Sequence, residues 1–286
     1  VIDMGMRVGP ATGMPTYTEQ GELLFVIHAG HGEFPKIVLA PGDAKEAYEM
    51  TIDAFNLADR YQLPLFILTD KYLNENQWCV SETVMNQPVS IDRGKLVTHD
   101  KLPADGSFKR YDVSVTDGIS PRSVPGIQHG HYWANSYEHD QTGHMTDESG
   151  KRTVMAQKRL RKFDAIAKDM KPPSVYGDPD AEISLVAWGS MKGPILEALT
   201  TAHFMIAGKK ANFIHYSWLS PFPAEATKKF LAGKTRIIDI EQNATGQLAS
   251  LIQMYTHIEI TEKLLKFDGR QWYPEEIIEK ITKTEK

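Results

Sequence analysis

The chain contains a single cysteine, Cys79, among its 286 residues. One thiol cannot close an internal disulfide. Nor can it hold a cysteine-ligated iron–sulfur cluster or a structural zinc within this chain. Any metal centre used for redox work would sit in a partner. Low cysteine content suits a reducing compartment, and a cytoplasmic location is expected. Long apolar runs are also missing; none approaches the roughly 18 residues that a membrane span needs. The first residues lack the basic start and apolar stretch of a secretory signal. A basic field is absent too: 37 Asp+Glu outweigh 32 Lys+Arg, for a formal net charge of -5. Nucleic acid is therefore not an expected partner. Repeats and low-complexity blocks do not stand out.

What remains is the composition of a folded protein, with 41% hydrophobic residues to build cores. The length is ample for two domains at roughly 100–200 residues each. Residues 36–40 read as a buried strand stopped by Pro41-Gly42. A helix is expected over 43–60, with Asp43 as N-cap and Glu46 three positions on, the spacing of a capping box. Its apolar stripe is read as Tyr48, Ile52, Phe55 and Ala58, with Leu57 beside it. Residues 63–70 form the next strand, giving a strand–helix–strand unit. The apolar run at 22–32 is either a strand or part of a helix entering a glycine-rich turn. Residues 81–180 are rich in Pro, Gly, Asp, His and Ser, and only 151–170 reads as a sustained helix. The stretch is taken as an extended connection with short strands, laid across a subunit surface. Regular alternation returns at 182–286, with strands at 182–190, 210–216 and 236–241. Helices are expected near 193–207, 224–231 and 243–257. The whole is α/β, with two doubly wound domains at 1–170 and 171–286.

The segment from Met6 to Thr16 holds most of the chemistry. Arg7, Gly9, Pro10, Thr12, Gly13, Pro15 and Thr16 crowd into a stretch with little core-forming periodicity. Glycines permit close backbone approach and prolines fix the path between them. A guanidinium with nearby hydroxyls is the composition of an anion-holding loop, and a carboxylate suits the arginine fork. Such a loop normally follows a strand, yet here it almost opens the sequence.

Further along, Gly30-His31-Gly32-Glu33 offers too few ligands for a protein-only zinc site. His31 either approaches the active site or braces the turn. Asp70 reads as a cap for the following turn. His129, His131, His139 and His144 do not match a compact metal motif; the zone reads as an ordered connection, with Trp133 and Tyr137 as anchors against a partner. Lys158, Arg159, Arg161 and Lys162 read as a solvated or salt-bridged helix face. Gly189-Ser190-Met191-Lys192-Gly193 lacks both the dinucleotide and P-loop patterns. Glu241-Gln242-Asn243 at a strand end reads as a structural crevice motif.

The run Arg7-Val8-Gly9-Pro10-Ala11-Thr12-Gly13-Met14-Pro15-Thr16, with Gln20 and Leu23 behind it, resembles the alpha subunit of 2-oxoacid:ferredoxin oxidoreductases. The resemblance continues through Gly30–Glu33, Ala54–Asp59, Leu68–Asp70, Tyr137–His144 and Lys158–Lys162. It resumes at Trp188–Ser190, Pro221–Pro223 and Glu241–Gln247, so it spans nearly the whole chain in order.

The resemblance implies a partial thiamine-diphosphate pyrimidine-binding domain followed by a transketolase C-terminal-like domain. It implies oxidative decarboxylation of a 2-oxoacid to acyl-CoA and carbon dioxide, with ferredoxin reduced. Thiamine diphosphate and magnesium would be shared with a beta subunit that grips the diphosphate. The iron–sulfur cluster would lie in a partner, and coenzyme A would be the cosubstrate. A hetero-oligomer is expected, with gamma and delta parts in some members. Arg7 matches the arginine that holds the substrate carboxylate, and Thr16 matches a threonine lining the same pocket. Thr12 joins them as a substrate-side candidate; Gly9, Gly13 and His31 are candidates on the cofactor side. Family alpha subunits also carry an earlier segment with a Tyr-Pro-Ile-Thr-Pro type motif and a cofactor-activating glutamate. Those residues are expected on a preceding segment or another chain, and this stretch alone is expected to be inactive. A non-catalytic assembly module and another thiamine-dependent, transketolase-like component are the competing readings. The identity of the 2-oxoacid stays open.

Overall fold

A computed structural model describes residues 1–98 and 102–283. It holds two sheets. The first contains β1 (Ile2–Met6), β2 (Ile37–Leu39), β3 (Leu65–Asp70) and β8 (Trp218–Ser220), in the order β1-β3-β2-β8. β3 is parallel to both β1 and β2, whereas β8 runs antiparallel to β2. The strands of the second sheet are β4 (Ser174–Gly177), β5 (Ile183–Trp188), β7 (Lys209–Tyr216), β9 (Arg236–Glu241) and β10 (Glu262–Leu265). Their order is β10-β9-β5-β7-β4, with β6 (Met205–Ile206) paired to β7. Strands β10, β9, β5 and β7 run parallel, and β4 is antiparallel to β7. Every residue of β5 is buried, as expected of a strand covered on both faces.

The halves share one core. Met6, Leu23, Val38 and Leu68 from the first pack with Val186, Trp188, Tyr216 and Leu251 from the second. Strand β8 enters the first sheet from the second half of the chain. Polar ties add to this. α7 (Lys192–Thr201) begins at Lys192, whose Nζ donates to Asp43 Oδ2 at 2.6 Å and Glu46 Oε1 at 2.5 Å. Asp43 in turn caps α2 (Ala44–Tyr61) by accepting from Glu46 N at 2.8 Å. Lys192 thus ties the start of α7 to the start of α2. On the second sheet, α10 (Pro274–Lys283) packs beside α7, and Ile277 and Ile281 join Ile195 and Leu199 in a second core. The short α4 (Glu82–Met85) and the amphipathic α8 (Ala224–Leu231) complete the helices not tied to the site.

One open reading is settled and two expectations change. The run at 22–32 resolves as helix α1 (Leu23–His28). The stripe assigned to α2 is not its core face. Ala54, Leu57 and Tyr61 are buried there, while Phe55 is 62% exposed; the helix carries apolar groups on two faces, and only the sheet chooses between them. The cations of 158–162 do not form a solvated face. α5 (Ser149–Leu160) and α6 (Lys162–Ile166) break at Arg161; three of the side chains turn onto the long connection and Lys162 turns onto the end of α2. Lys158 donates to Gly118 O at 3.1 Å, Lys162 to Gln62 O at 2.8 Å, and Arg161 to Val113 O and Val115 O at 3.0 and 3.2 Å. Arg159 forks onto both oxygens of Glu138. A loop-rich segment has many carbonyls without ladder partners, and these cations satisfy them.

Burial lowers the Lys162 ammonium to about 7, with Lys158 and Arg110 adding repulsion. The folded chain then binds fewer protons than the unfolded chain between pH 7 and about 10. Its contribution to stability is present above that window and is lost as pH falls through 7. Urea unfolding of wild type and Lys162→Met at pH 6, 8 and 9.5 should show the wild type gaining relative to the variant as pH rises, by about 1–3 kcal/mol. A pH-independent difference would refute the buried-ammonium assignment.

Candidate functional site

The carboxyl edge of the first sheet carries the Arg7 loop. Met6 pairs with Asp70, so Arg7 and Lys71 each leave the end of adjacent parallel strands. That edge is where open α/β sheets take ligands. The loop therefore does follow a strand, the short β1. Its alternation is masked in the sequence because four of its five residues are wholly or partly exposed.

The loop is held from within. Met14 N donates to Val8 O at 3.2 Å, Tyr17 N to Met14 O at 3.0 Å and Val8 N to Tyr17 O at 3.3 Å. The Arg7 guanidinium donates to Thr12 O at 2.6 Å, Ala11 O at 2.8 Å and Val8 O at 3.2 Å. Arg7 forms no ion pair with a carboxylate of the described residues. Burial and Glu19 raise the nearby Glu22 carboxyl, and the charge of Arg7 opposes them. A guanidinium oriented by neutral carbonyls keeps its charge for an incoming anion. Thr12 and Thr16 are exposed on this loop. Thr16 lines a cleft of ≈ 270 Å³ with Thr18, Lys71, Tyr72 and Gly269.

The two glycines differ. Gly13 has φ +50°, and a Cβ there would collide with Val8 O. Gly9 has nothing within 4 Å of an added Cβ. Gly13→Ala should therefore open the loop, at a cost of about 1–3 kcal/mol. Amide exchange at Met14 and Tyr17 checks this, because faster exchange in the variant is expected; unchanged exchange would remove Gly13 from the loop's framework.

The structure does not join His31 to this loop by any described hydrogen bond or ion pair. It lies exposed after α1, beside a cleft of ≈ 500 Å³ whose lining includes His28, Gly32, Glu33, Lys36 and Phe222. Asp70 caps α3 (Lys71–Glu75) by accepting from Leu73 N at 2.9 Å, and it also accepts from Ser190 Oγ. Burial pushes its carboxyl up, against those two donors. In the connection, Asp140 Oδ1 accepts from Thr142 N at 2.8 Å and His144 N at 3.2 Å, and His139 packs on Tyr111. Among the described residues no three His, Cys, Asp or Glu side chains gather as a metal site. Trp133 and Tyr137 are exposed.

The crevice motif is a structural element. Glu241 Oε2 accepts from Trp188 Nε1 at 2.8 Å and Asn243 Nδ2 at 2.7 Å. Its Oε1 accepts from Leu248 N at 2.8 Å, at the start of α9 (Gln247–Thr256). Gln247 exchanges bonds with Leu24 N and Gly21 O. Each polar side chain of the motif points at the segment behind the Arg7 loop or at its own helix start. Sequence reasoning missed Glu19, whose Oε2 accepts from Gly9 N at 3.0 Å. The signal was slight: one acidic residue among polar neighbours.

Two family models match the chain. Residues 1–158 match the model described as pyruvate flavodoxin/ferredoxin oxidoreductase, thiamine diphosphate-binding. Residues 181–277 match pyruvate:ferredoxin oxidoreductase core domain II. The chain is 41% identical to the alpha subunit of 2-oxoacid:ferredoxin oxidoreductase 2 of Aeropyrum pernix, over 97% of its own length and 42% of that protein. It is 38% identical to a 2-oxoacid:ferredoxin oxidoreductase alpha subunit of Saccharolobus solfataricus, over 98% of this chain and 44% of that one. Among solved structures, the 2-oxoglutarate:ferredoxin oxidoreductase of Magnetococcus marinus superposes with a TM-score of 0.83 at 30% identity. That match covers 98% of this chain and 48% of the other. The chain thus spans less than half the length of these relatives.

Proposed function

Since the chain belongs to the 2-oxoacid:ferredoxin oxidoreductase family, as alpha-subunit sequence, we propose that it serves the substrate side of an oxidative decarboxylation. In that reading a 2-oxoacid yields acyl-CoA and carbon dioxide while ferredoxin is reduced. The observation that carries it is the Arg7 guanidinium, fixed by three loop carbonyls at the carboxyl edge of a parallel sheet without a carboxylate partner among the described residues. Arg7 binds the substrate carboxylate and fixes the orientation of the keto carbon. Thr16, which lines a cleft with Thr18, Lys71 and Tyr72, is assigned to the substrate side with it, and Thr12 lends its carbonyl to hold the guanidinium.

The chain's own residues fit only part of the cofactor set. Those described gather no acidic cluster for a magnesium-bound diphosphate, and the one cysteine is exposed and unpaired with any other. The proposal places the diphosphate grip on a beta subunit and the cluster on a partner, within a hetero-oligomer that reduces ferredoxin. Thiamine diphosphate, when bound, supplies the carbon nucleophile and electron sink of the reaction. No helix of the described residues is long and apolar enough to cross a membrane, and the proposed site of action is the cytoplasm.

The test is reduction of ferredoxin or viologen by the co-purified complex, dependent on both a 2-oxoacid and coenzyme A. Activity on at least one of pyruvate, 2-oxoglutarate and branched or aryl 2-oxoacids is expected. An assembled, cluster-loaded complex inert toward all of them would overturn the enzyme reading and leave an assembly module.

A further inference from the structure

The Arg7 loop has two legs. One leg leaves β1 and is fixed by the parallel ladder to β3. The other, residues 18–20, belongs to no strand or helix, yet Thr18 is 6% exposed and Gln20 is fully buried. A buried irregular segment must find partners for its backbone groups elsewhere. Thr18 N donates to Gly269 O at 3.1 Å and Gln20 O accepts from Asn243 Nδ2 at 3.2 Å, but the bonds to both Thr18 and Gln20 meet in one residue across the domain junction. Gln242 Nε2 donates to Thr18 O at 3.1 Å. Its backbone carbonyl accepts from Gln20 N at 2.7 Å, and its backbone N donates to Gln20 Oε1 at 3.2 Å. Between the two pinned residues stands Glu19, whose carboxylate takes Gly9 N. The connection from Gln242 to the guanidinium is therefore continuous: Gln242 fixes Thr18 and Gln20, Glu19 fixes Gly9, and the backbone on either side of Gly9 supplies the carbonyls of Val8, Ala11 and Thr12 that Arg7 grips.

We propose that Gln242 is a positioning residue for the substrate carboxylate, setting the place of Arg7 from the second sheet through residues 18–20. The inference rests on the reading of Arg7 as the carboxylate clamp. Gln242 touches no substrate in this scheme. It acts because a clamp displaced by about 1 Å loses most of its effect, and a leg without strand partners depends on such ties to hold it. The second Nε2 bond, to Arg270 O at 3.2 Å, fixes the amide plane so that the bond to Thr18 keeps its direction. This also gives the Glu-Gln-Asn motif a reason to stand at the end of β9, beside the Arg7 loop, as more than a core filler.

Gln242→Met removes both amide donors at similar length while leaving the backbone bonds. In the assembled enzyme, the KM for the 2-oxoacid should rise about tenfold with a much smaller fall in kcat, the signature of weakened substrate binding. Amide exchange at Val8, Met14 and Tyr17 should quicken, with β5 unchanged. In an Arg7→Ala background the same substitution should leave KM where Arg7→Ala put it. Glu19→Ala cuts the same connection at a half-exposed side chain and should raise KM about threefold, which keeps the test available should the buried variant misfold. An unchanged KM in folded, assembled Gln242→Met and Glu19→Ala enzymes overturns the proposal, and so does an undiminished Gln242 effect without Arg7. If Arg7→Ala alone spares KM, the clamp reading fails instead, and loop exchange still reports whether Gln242 holds the loop.

Discussion

Arg7→Ala in the assembled enzyme is expected to lower kcat/KM for the 2-oxoacid by about 10²–10³-fold, or roughly 3–4 kcal/mol of binding in the transition state. Two losses combine. The substrate carboxylate loses a forked, charged donor, and the loop loses the three bonds that close it over Val8, Ala11 and Thr12. The second loss separates this site from a simple charge requirement. Arg7→Lys keeps the charge but replaces a rigid planar fork with one ammonium on a flexible stem. It cannot span the carbonyls and meet a carboxylate together, so it should recover little: at least about a tenfold deficit is expected. Steady-state kinetics on several 2-oxoacids decides this, with size-exclusion of the complex to establish assembly. Full activity in Arg7→Lys would mean that charge alone suffices and that the loop bonds are incidental.

The Arg7 loop was legible in sequence because its residue types are chemically specific and adjacent. Arginine, glycines and prolines in one short run have few uses in a core. Its supports were not legible in the same way. Gln242 lies 222 positions from Gln20, and nothing local in either segment names the other. Strands β5, β7 and β9 were readable from their apolar runs, whereas the short β4, β6, β8 and β10, which carry no such run, were not. β1 was not, because an edge strand with exposed faces looks like a loop. The helix α2 was found but its core face was misassigned, since Tyr48, Ile52 and Phe55 form as good a stripe as Ala54, Leu57 and Tyr61. The basic helix failed for a different reason. Lys158 and Lys162 are 5% and 9% exposed, and charge usually marks a solvated face. Here two inward carbonyls outside any strand ladder, Gly118 O in the connection and Gln62 O after α2, take the ammonium groups, and the cations follow them inward.

Glu241 should be the most costly single position for stability. Four donors converge on its two oxygens: Trp188 Nε1 and Asn243 Nδ2 on one, and the amides of Leu248 and Ala249 on the other. Glu241→Gln puts an amide NH₂ against one of these donor pairs in a site with no exposure. The expected loss is about 3–5 kcal/mol, a fall in Tm of roughly 10 °C at about 2–4 °C per kcal/mol for a chain of this size class. Asp239 supplies an independent check. It is buried on the same strand beside Glu241, with the charge of Lys263 opposing the effect of burial. Burial, and then the neighbouring Glu241, raise its carboxyl well above the usual range. Above pH ~4 the folded chain therefore holds a proton that the unfolded chain releases. The contribution of Asp239 is complete below that pH and is lost as pH rises through the folded value. Asp239→Asn should accordingly gain on wild type in urea unfolding between about pH 5 and pH 8, and the gain should shrink in a Glu241→Gln background, where the repulsion is gone. A gain that ignores both pH and Glu241 would show that Asp239 does not titrate against its neighbour. The same two variants bear on the site as well. Trp188 O accepts from Gln20 Nε2 at 3.0 Å, and Asn243 Nδ2 donates to Gln20 O at 3.2 Å. Loosening Glu241 loosens two of the groups that hold Gln20, beside Gln242, so Glu241→Gln should raise the KM for the 2-oxoacid even at temperatures where the enzyme stays folded, whereas Asp239→Asn, which contacts neither, should not.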